Sequence, residues 1–364
     1  MKQVVTPLYP FTGSKTNFDK GMIWVKRFSA VFLIFSMLFF TSSCVMQSTA
    51  QKYMDSYNNT MKAETLQMRT EGRISIDLSG ASESQKEILE GFKNVTFNID
   101  EAMDHKNGRG ESNYYINIGG NIINTRIFAQ EDKIFMSFPG VDSETRYIKF
   151  DLNGENFEES LNKELMGEYG KIKDELNRIW TEAVKNEIIA NEGNSFENTP
   201  EGDIKVNQLS FELTDEKVKN ILGEFLRLVS QNEAVKKFSI ETGQRFSNEE
   251  ILKEDIEEGI EGLFDKLDGY DKEIKESFTL KKLKLTAKID KDRYIIDERL
   301  KGEIIIKDGT EGKAVVSFEI NTTRWNINRD IDINIPQIDE DEIIGEDEID
   351  ELLDEFYGKM RGDE

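Results

Sequence analysis

The period of the apolar positions changes several times along this chain. From residue 66, Leu66, Met68, Thr70, Gly72, Ile74, Ile76 and Leu78 alternate with Gln67, Arg69, Glu71, Arg73, Ser75 and Asp77. A period of two sustained that long predicts one extended strand with a buried and a solvated face, and strands of such length belong to strongly bent sheets or partial barrels. Just before it, Ala50, Tyr53, Met54, Tyr57 and Met61 recur at threes and fours, which predicts a helix. After it come Val95, Phe97 and Ile99; Tyr114, Ile116 and Ile118; Ile123, Thr125 and Ile127; then "KIFMSF" and "RYIKFD". Turn-forming "NGRG" at 107–110 and "IGGN" at 118–121 join these runs, so they read as an antiparallel meander.

The period then returns to three and four. Phe157, Leu161, Leu165, Tyr169, Ile172, Leu176, Ile179, Trp180, Ala183 and Val184 predict a helix or helix pair over 156–187, interrupted near Gly167 and Gly170. A short strand, Leu209, Phe211 and Leu213, ends at Thr214. Thr214 suits an N-cap, with Asp215 and Glu216 at the positive end of a helix whose stripe is Val218, Ile221, Leu222, Phe225 and Val229. Ser247 and Glu250 have capping-box spacing for a further helix that would bury Ile251, Ile260, Leu263, Phe264 and Leu267. Strands resume with Leu283, Leu285, Ala287 and Ile289, then "YIIDERLKGEIIIK", a "DGTEGK" turn, and "AVVSFEINTTRWNI". Sequential strands pair with their neighbours. The expected fold is therefore α+β: a curved antiparallel sheet, an open half-barrel, with helices covering its concave face, as one domain over 50–336.

The stretch "KRFSAVFLIFSMLFFTSSC" at 26–44 breaks the polar background. Its strongly apolar part, 28–40, is shorter than the roughly 20 residues of a spanning helix. Lys26 and Arg27 precede it and small residues follow, the pattern of a secretory signal. "FTSSC" resembles the lipobox of bacterial lipoproteins. That resemblance implies cleavage after Ser43 and a diacylglyceryl group on Cys44, with Thr41 standing where the family usually has leucine. Residues 1–43 would then be an N-terminal extension and signal peptide, with translation starting at Met1 or Met22, and 44–49 a lipidated tether. An uncleaved anchor from Phe28 to Met46 is the alternative. Both put the body outside the cytoplasm and tethered to the membrane; two acyl chains suffice, at about 0.8 kcal/mol per buried methylene.

Charge narrows the partners. The 364 residues include 71 acidic and 47 basic ones, a net charge of -24. Such a surface repels nucleic-acid phosphate. Five basic residues and one acidic residue precede Cys44, so cleavage would leave -28, and the lipid rather than electrostatics would hold the body to an anionic membrane. The richness in Lys, Glu, Ile and Asn, with five prolines, points to an AT-rich Gram-positive genome. One cysteine and one histidine exclude internal disulfides and zinc sites of Cys and His.

Catalytic patterns fail one by one. His105 lies among charged and turn residues, and no cysteine survives lipidation to be its nucleophile. "SLNK" at 160–163 lacks the partner motifs of S-x-x-K enzymes. "DLNGENFEE" and "RDIDINIPQIDEDE" lack the glycine and closing glutamate of an EF-hand, so no metal is assigned, and "DIDINI" reads more simply as a strand with one solvated face. No cofactor and no reaction are expected. The element order resembles the lipoprotein-carrier fold of LolA-type chaperones and of the LprG and LppX type of lipid-binding lipoproteins. The resemblance implies a hydrophobic cavity between sheet and helices, for which Phe97, Ile116, Phe128, Phe135, Trp180, Phe225 and Phe264 are the candidate lining residues. In "EDEIDELLDEFYGKMRGDE", Ile349, Leu352, Leu353, Phe356 and Tyr357 line one face of an amphipathic helix behind an acidic tether, so 337–364 reads as a separate tail. Leu352, Leu353 and Phe356 could dock a protein partner. The expectation is thus a non-enzymatic lipoprotein at the outer face of the cell membrane that binds lipid or another hydrophobic ligand. The alternatives are a scaffold tethering an envelope or spore-associated enzyme and, last, a carboxylate-based cell-wall hydrolase.

Overall fold

The computed structural model describes residues 49–137, 146–151, 171–245, 257–264 and 276–348, apart from 84–85, 87–88, 131–132, 173, 186, 263, 277, 309–311 and 346–347. Cys44, Ser43, the 247–250 capping box, "SLNK", and Leu352, Leu353 and Phe356 lie outside the described residues.

Helix α1 (Thr49–Met61) leads into β1 (Thr65–Asp77), β2 (Asn94–Asp104), β3 (Arg109–Ile118), β4 (Asn121–Gln130), β5 (Lys133–Ser137) and β6 (Tyr147–Asp151). Residues 171–172 and 174–184 are helical. Then follow β7 (Ala190–Thr199), β8 (Gly202–Glu212), α2 (Asp215–Ser230), α3 (Glu233–Arg245), β9 (Phe278–Ile289), β10 (Ile295–Asp308) and β11 (Gly312–Trp325). All eleven strands form one antiparallel sheet in the order β6-β5-β4-β3-β2-β1-β11-β10-β9-β8-β7. Two meanders therefore meet where the first strand pairs with the last, and the sheet stays open with β6 and β7 at its edges. It curls strongly: Asn326, just past β11, donates its backbone N–H to Glu201 in the β7–β8 turn at 3.0 Å, although β8 lies three strands away.

The alternation in β1 fixes the inner face, the one the helices cover. Ile74 pairs with Phe318 of β11 and with Val95 of β2, Gly72 with Ile320 and Phe97, so inward positions line up across the seam. Two inward glycines allow close cross-strand packing. The Phe97 ring lies over its partner Gly72, and the Phe318 ring over its partner Gly302.

The core sits on the inner face of β1 and β8–β11. Tyr53 and Met54 of α1, Ile179 and Trp180 of the 171–184 segment, and Val218, Ile221 and Leu222 of α2 close over Leu283, Leu285, Ile304 and Phe318. Each fully buried large apolar side chain contributes about 1.5–3 kcal/mol. Thr214 caps α2 as its sequence suggests, accepting the Lys217 N–H at 3.3 Å, while Asp215 reaches the Leu280 N–H at 2.6 Å and ties α2 to the start of β9.

Four features depart from the sequence reading. The strand ending at Thr214 is eleven residues long and pairs with a further strand, β7, whose sequence "ANEGNSFENT" has almost no apolar alternation because its side chains are mostly exposed. Helix α3 was not foreseen; Asn232 caps it by accepting the Val235 N–H at 3.0 Å. The acidic segment 337–348, expected as a tether, is held against the sheet. Ile343 bridges to Tyr147 in parallel, the Ile344 N–H donates to the Tyr147 carbonyl at 2.8 Å, and Arg146 pairs with Glu348. Asp339 and Glu342 close a capping box around a short 3-10 turn, Glu340–Glu342. Nor does "DIDINI" form a strand; it runs irregularly with Ile333 buried and its carbonyl accepting from Arg109 at 2.7 Å.

Candidate functional site

The inner face divides in two. Under the helices it is sealed, but from β2 to β5 the same face carries Val95, Phe97, Ile99, Ile116, Ile123 and Ile127, all only half-buried. Registration places them in rows that cross the strands. One row runs Gly72, Phe97, Ile116, Ile123, and the next Thr70, Ile99, Tyr114, Thr125. A surface of cross-strand β-branched and aromatic residues left partly accessible is an apolar platform.

The third row differs in chemistry. Met68 is the register partner of both Arg324 and Glu101, and the row continues through Ser112, Ile127, Met136 and Ile148. Arg324 Nη2 donates to Glu298 Oε2 at 3.3 Å, and the Tyr53 hydroxyl donates to Glu298 Oε1 at 3.0 Å. Thr70 and Thr322 hydroxyls pair at 3.0 Å between them. The Ser112 hydroxyl donates to Glu101 Oε1 at 3.3 Å. Arg324 Nη1 is buried and finds no hydrogen-bond partner among the described residues. Burial pushes the Glu101 carboxyl above its usual range, against the Ser112 hydrogen bond and the Arg324 charge that favour ionisation. Burial, then the Glu101 charge, raises the Tyr114 phenol, and burial followed by Glu298 raises the Tyr53 phenol well above its ordinary value.

The candidate lining residues do not come together as one set. Phe97 and Ile116 are register partners on the inner platform. Phe128 and Phe135 are also partners of each other, but on the opposite face, because Phe128 opposes Glu111 while Ile123 opposes Ile116. There Phe128 is fully buried, 6.2 Å from the Tyr147 ring and 4.9 Å from the Arg126 guanidinium. Trp180 is sealed in the helix-covered core 6.3 Å from the Phe211 ring, Phe225 is partly buried against that core, and Phe264 is buried. Of the candidates, only Phe97 and Ile116 face the platform.

Arg324, Glu298 and Glu101 were missed, although a signal existed. Each continues the inward parity of an apolar run: Phe318, Ile320, Thr322, Arg324 on β11; Ile304, Gly302, Leu300, Glu298 on β10; Phe97, Ile99, Glu101 on β2. A charge in step with buried positions is costly unless paired, which is what distinguishes it from a solvated one.

His105 lies exposed in an open cleft with Met61, Lys62, Ala63, Glu64 and Lys106, held by its own backbone N–H to the Glu64 carbonyl at 2.8 Å. Among the described residues no three of His, Cys, Asp and Glu gather as metal ligands would, and no helix is long and apolar enough to cross a membrane.

No family model matches this chain, and no curated protein matches it. Among solved structures, it is similar to a beta-barrel-like protein of a domain of unknown function from Brucella abortus, at 6% identity over 72% of this chain and 99% of that one, with a TM-score of 0.19. It is also similar to the tesB protein of Mycobacterium avium subs paratuberculosis, at 8% identity over 76% and 85% of the two chains, with a TM-score of 0.11. At those TM-scores neither likeness carries an argument about function, and the open barrel-like sheet rests on this chain's own strand order.

Proposed function

We propose that this chain is a membrane-held extracytoplasmic lipoprotein, anchored through a diacylglyceryl group on Cys44, that binds an acyl lipid or another hydrophobic ligand on the inner platform and catalyses no reaction. The half-exposed rows around Phe97 and Ile116 carry this reading. A sheet face of that kind, continuous with a sealed core, offers apolar contact along the length of an acyl chain at about 25 cal/mol per Å² removed from water. The lipobox-like "FTSSC" supports the anchor, and the net charge of -24 supports a lipid rather than a polybasic attachment. Native mass spectrometry of a chain beginning at Met46 tests the binding. A near-stoichiometric acyl lipid, lost on Phe97→Asp, is the expected result. A bare mass that stays bare after incubation with added acyl lipid would overturn the reading.

The scaffold alternative keeps one specific support. Among the described strands β7 pairs on one side only, with Phe196 70% exposed on it and Ile188 92% exposed just before it. An edge of that kind can accept a partner strand. Recovery of a defined protein at equal stoichiometry, abolished by Phe196→Lys, would favour it over a lipid carrier.

A further inference from the structure

The polar row at the border of the apolar platform has its own chemistry, and the inference drawn from it rests on the acyl-ligand reading above. We infer that Arg324 and Glu101 together read the head group of the bound amphiphile and select one that is uncharged and hydroxyl-bearing, a glycerol-type ester of a fatty acid.

The donor and acceptor inventory argues first. Arg324 spends Nη2 on Glu298, while Nη1 is buried and unpartnered, a donor that still lacks an acceptor. Glu101 is a neighbour across Met68, two strands away, close enough for the guanidinium charge to act on its carboxyl. Among the described residues the Ser112 hydroxyl is its side-chain hydrogen-bond partner, and a carboxylate has room to accept several more hydrogen bonds. A ligand hydroxyl answers both needs at once, accepting from Arg324 and donating to Glu101. An ester lacking a hydroxyl could answer only the first.

Charge argues second. With both carboxylates ionised, Arg324 stands against Glu298 and Glu101, so the row is net acidic within a chain of net charge -24. A carboxylate or phosphate head would be repelled there, and an ammonium head, though drawn by the net charge, has no acceptor to offer and would leave Arg324 Nη1 unpaired. An uncharged head suffers neither penalty. Position argues third: the row adjoins the Ile99 row and the Phe97 row lies next beyond it, so a head held at Arg324 and Glu101 leaves its chain running toward Phe97 and Ile116.

The test uses the full chain in detergent-exchanged form and three probes of one chain length: monooleoylglycerol, oleate and methyl oleate. Affinities are measured by calorimetry at pH 7.5. Monooleoylglycerol is expected to bind about tenfold more tightly than either other probe, the scale of one satisfied buried polar group. Glu101→Leu should bring the monooleoylglycerol to methyl oleate ratio to within about threefold, and Glu101→Gln, which keeps an acceptor, should retain most of it. A ratio is the readout because damage to the fold weakens all three probes alike. Equal binding of the three, a preference for oleate, or a ratio unmoved by Glu101→Leu would overturn head-group selection and leave acyl binding standing. Failure of every probe to bind would overturn both.

Discussion

Replacing Gly302 with alanine tests how the sheet is bent. An ideal Cβ at Gly302 would sit 2.3 Å from Cζ of Phe318, its register partner, and one at Gly72 would sit 2.0 Å from Cζ of Phe97. Carbon atoms in contact rest at about 3.5–4.0 Å, so in each case the ring must move by more than an ångström. Relief differs between the two sites. Phe318 is 3% exposed and packed in the core, whereas Phe97 is half-buried at the edge of the open platform and has room to swing. In a strand without such a neighbour, alanine in place of glycine gains about 0.5–1 kcal/mol, while forcing extra carbon into a filled core costs about 1–3 kcal/mol. Gly302→Ala is therefore expected to destabilise by about 1–2 kcal/mol once the propensity gain is subtracted. Gly72→Ala should cost less, by about 1 kcal/mol, because its ring can rotate outward. Urea unfolding of both variants, with Phe318→Leu and Phe97→Leu to close two double-mutant cycles, measures the coupling directly. Removing the ring should turn Gly302→Ala neutral or stabilising. An alanine at 302 that raises the urea midpoint, or a cycle that is additive within about 0.5 kcal/mol, would refute the close packing of ring on glycine as the reason for these residues.

The polar row yields two further predictions. Arg324→Met leaves Glu298 buried without its partner and should cost about 3–5 kcal/mol, whereas Arg324→Met with Glu298→Leu should recover most of that loss; thermal melts that place the double variant below either single one would contradict the pairing. Glu101 carries a folded-state pKa raised by burial, so the native state holds its proton at pH values where the unfolded chain has lost it, and the group's contribution falls as pH rises through that window. Glu101→Gln, which cannot ionise, should consequently stabilise the protein at pH 7 more than at pH 4, and an equal shift of Tm at both values would exclude a desolvated carboxyl at that position.

Much of the fold was legible because long strands expose their period. β1, β9, β10 and β11 are each twelve residues or longer, and over most of their length the apolar positions alternate and face the core as that alternation requires. β7 was not legible, since an edge strand with largely exposed side chains has no burial to impress on its sequence. Helix α3 was missed for a related reason: its signal is the Asn232 cap rather than a long stripe. The candidate site was read only in part. Aromatic identity brought in Phe128 and Phe135 beside Phe97 and Ile116, but strand parity puts the two pairs on opposite faces, and parity across β3 and β4 is known only once Ile116 is paired with Ile123. The charged row escaped because Glu298 sits among the charges of "DERLK" and Arg324 beside the polar residues of "TTRWN", where composition alone reads as solvent.

The two faces of the N-terminal meander are treated differently by the chain itself, and that difference bears on which one the proposed ligand would occupy. On the outer face, Phe128 and Tyr147 are buried, and the segment after β11 comes back to that end of the sheet: Ile333 is buried with its carbonyl on Arg109, an outer-facing residue of β3, and Ile344 is buried with its N–H on Tyr147. Backbone bonds, an ion pair between Arg146 and Glu348, and two isoleucines thus close an aromatic cluster that would otherwise be an exposed patch beside the β6 edge. On the inner face, the rows through Phe97, Ile116 and Ile123 stay only partly buried, Phe97 against the rim of the helix-covered core. A chain that covers one apolar surface with its own tail and leaves another partly accessible has two different demands on those surfaces. Stability accounts for the first. The second lies beside the row that holds, among the described residues, an unpartnered buried guanidinium nitrogen and a desolvated carboxyl, and the amphiphile proposed above would satisfy both its apolar rows and its polar border.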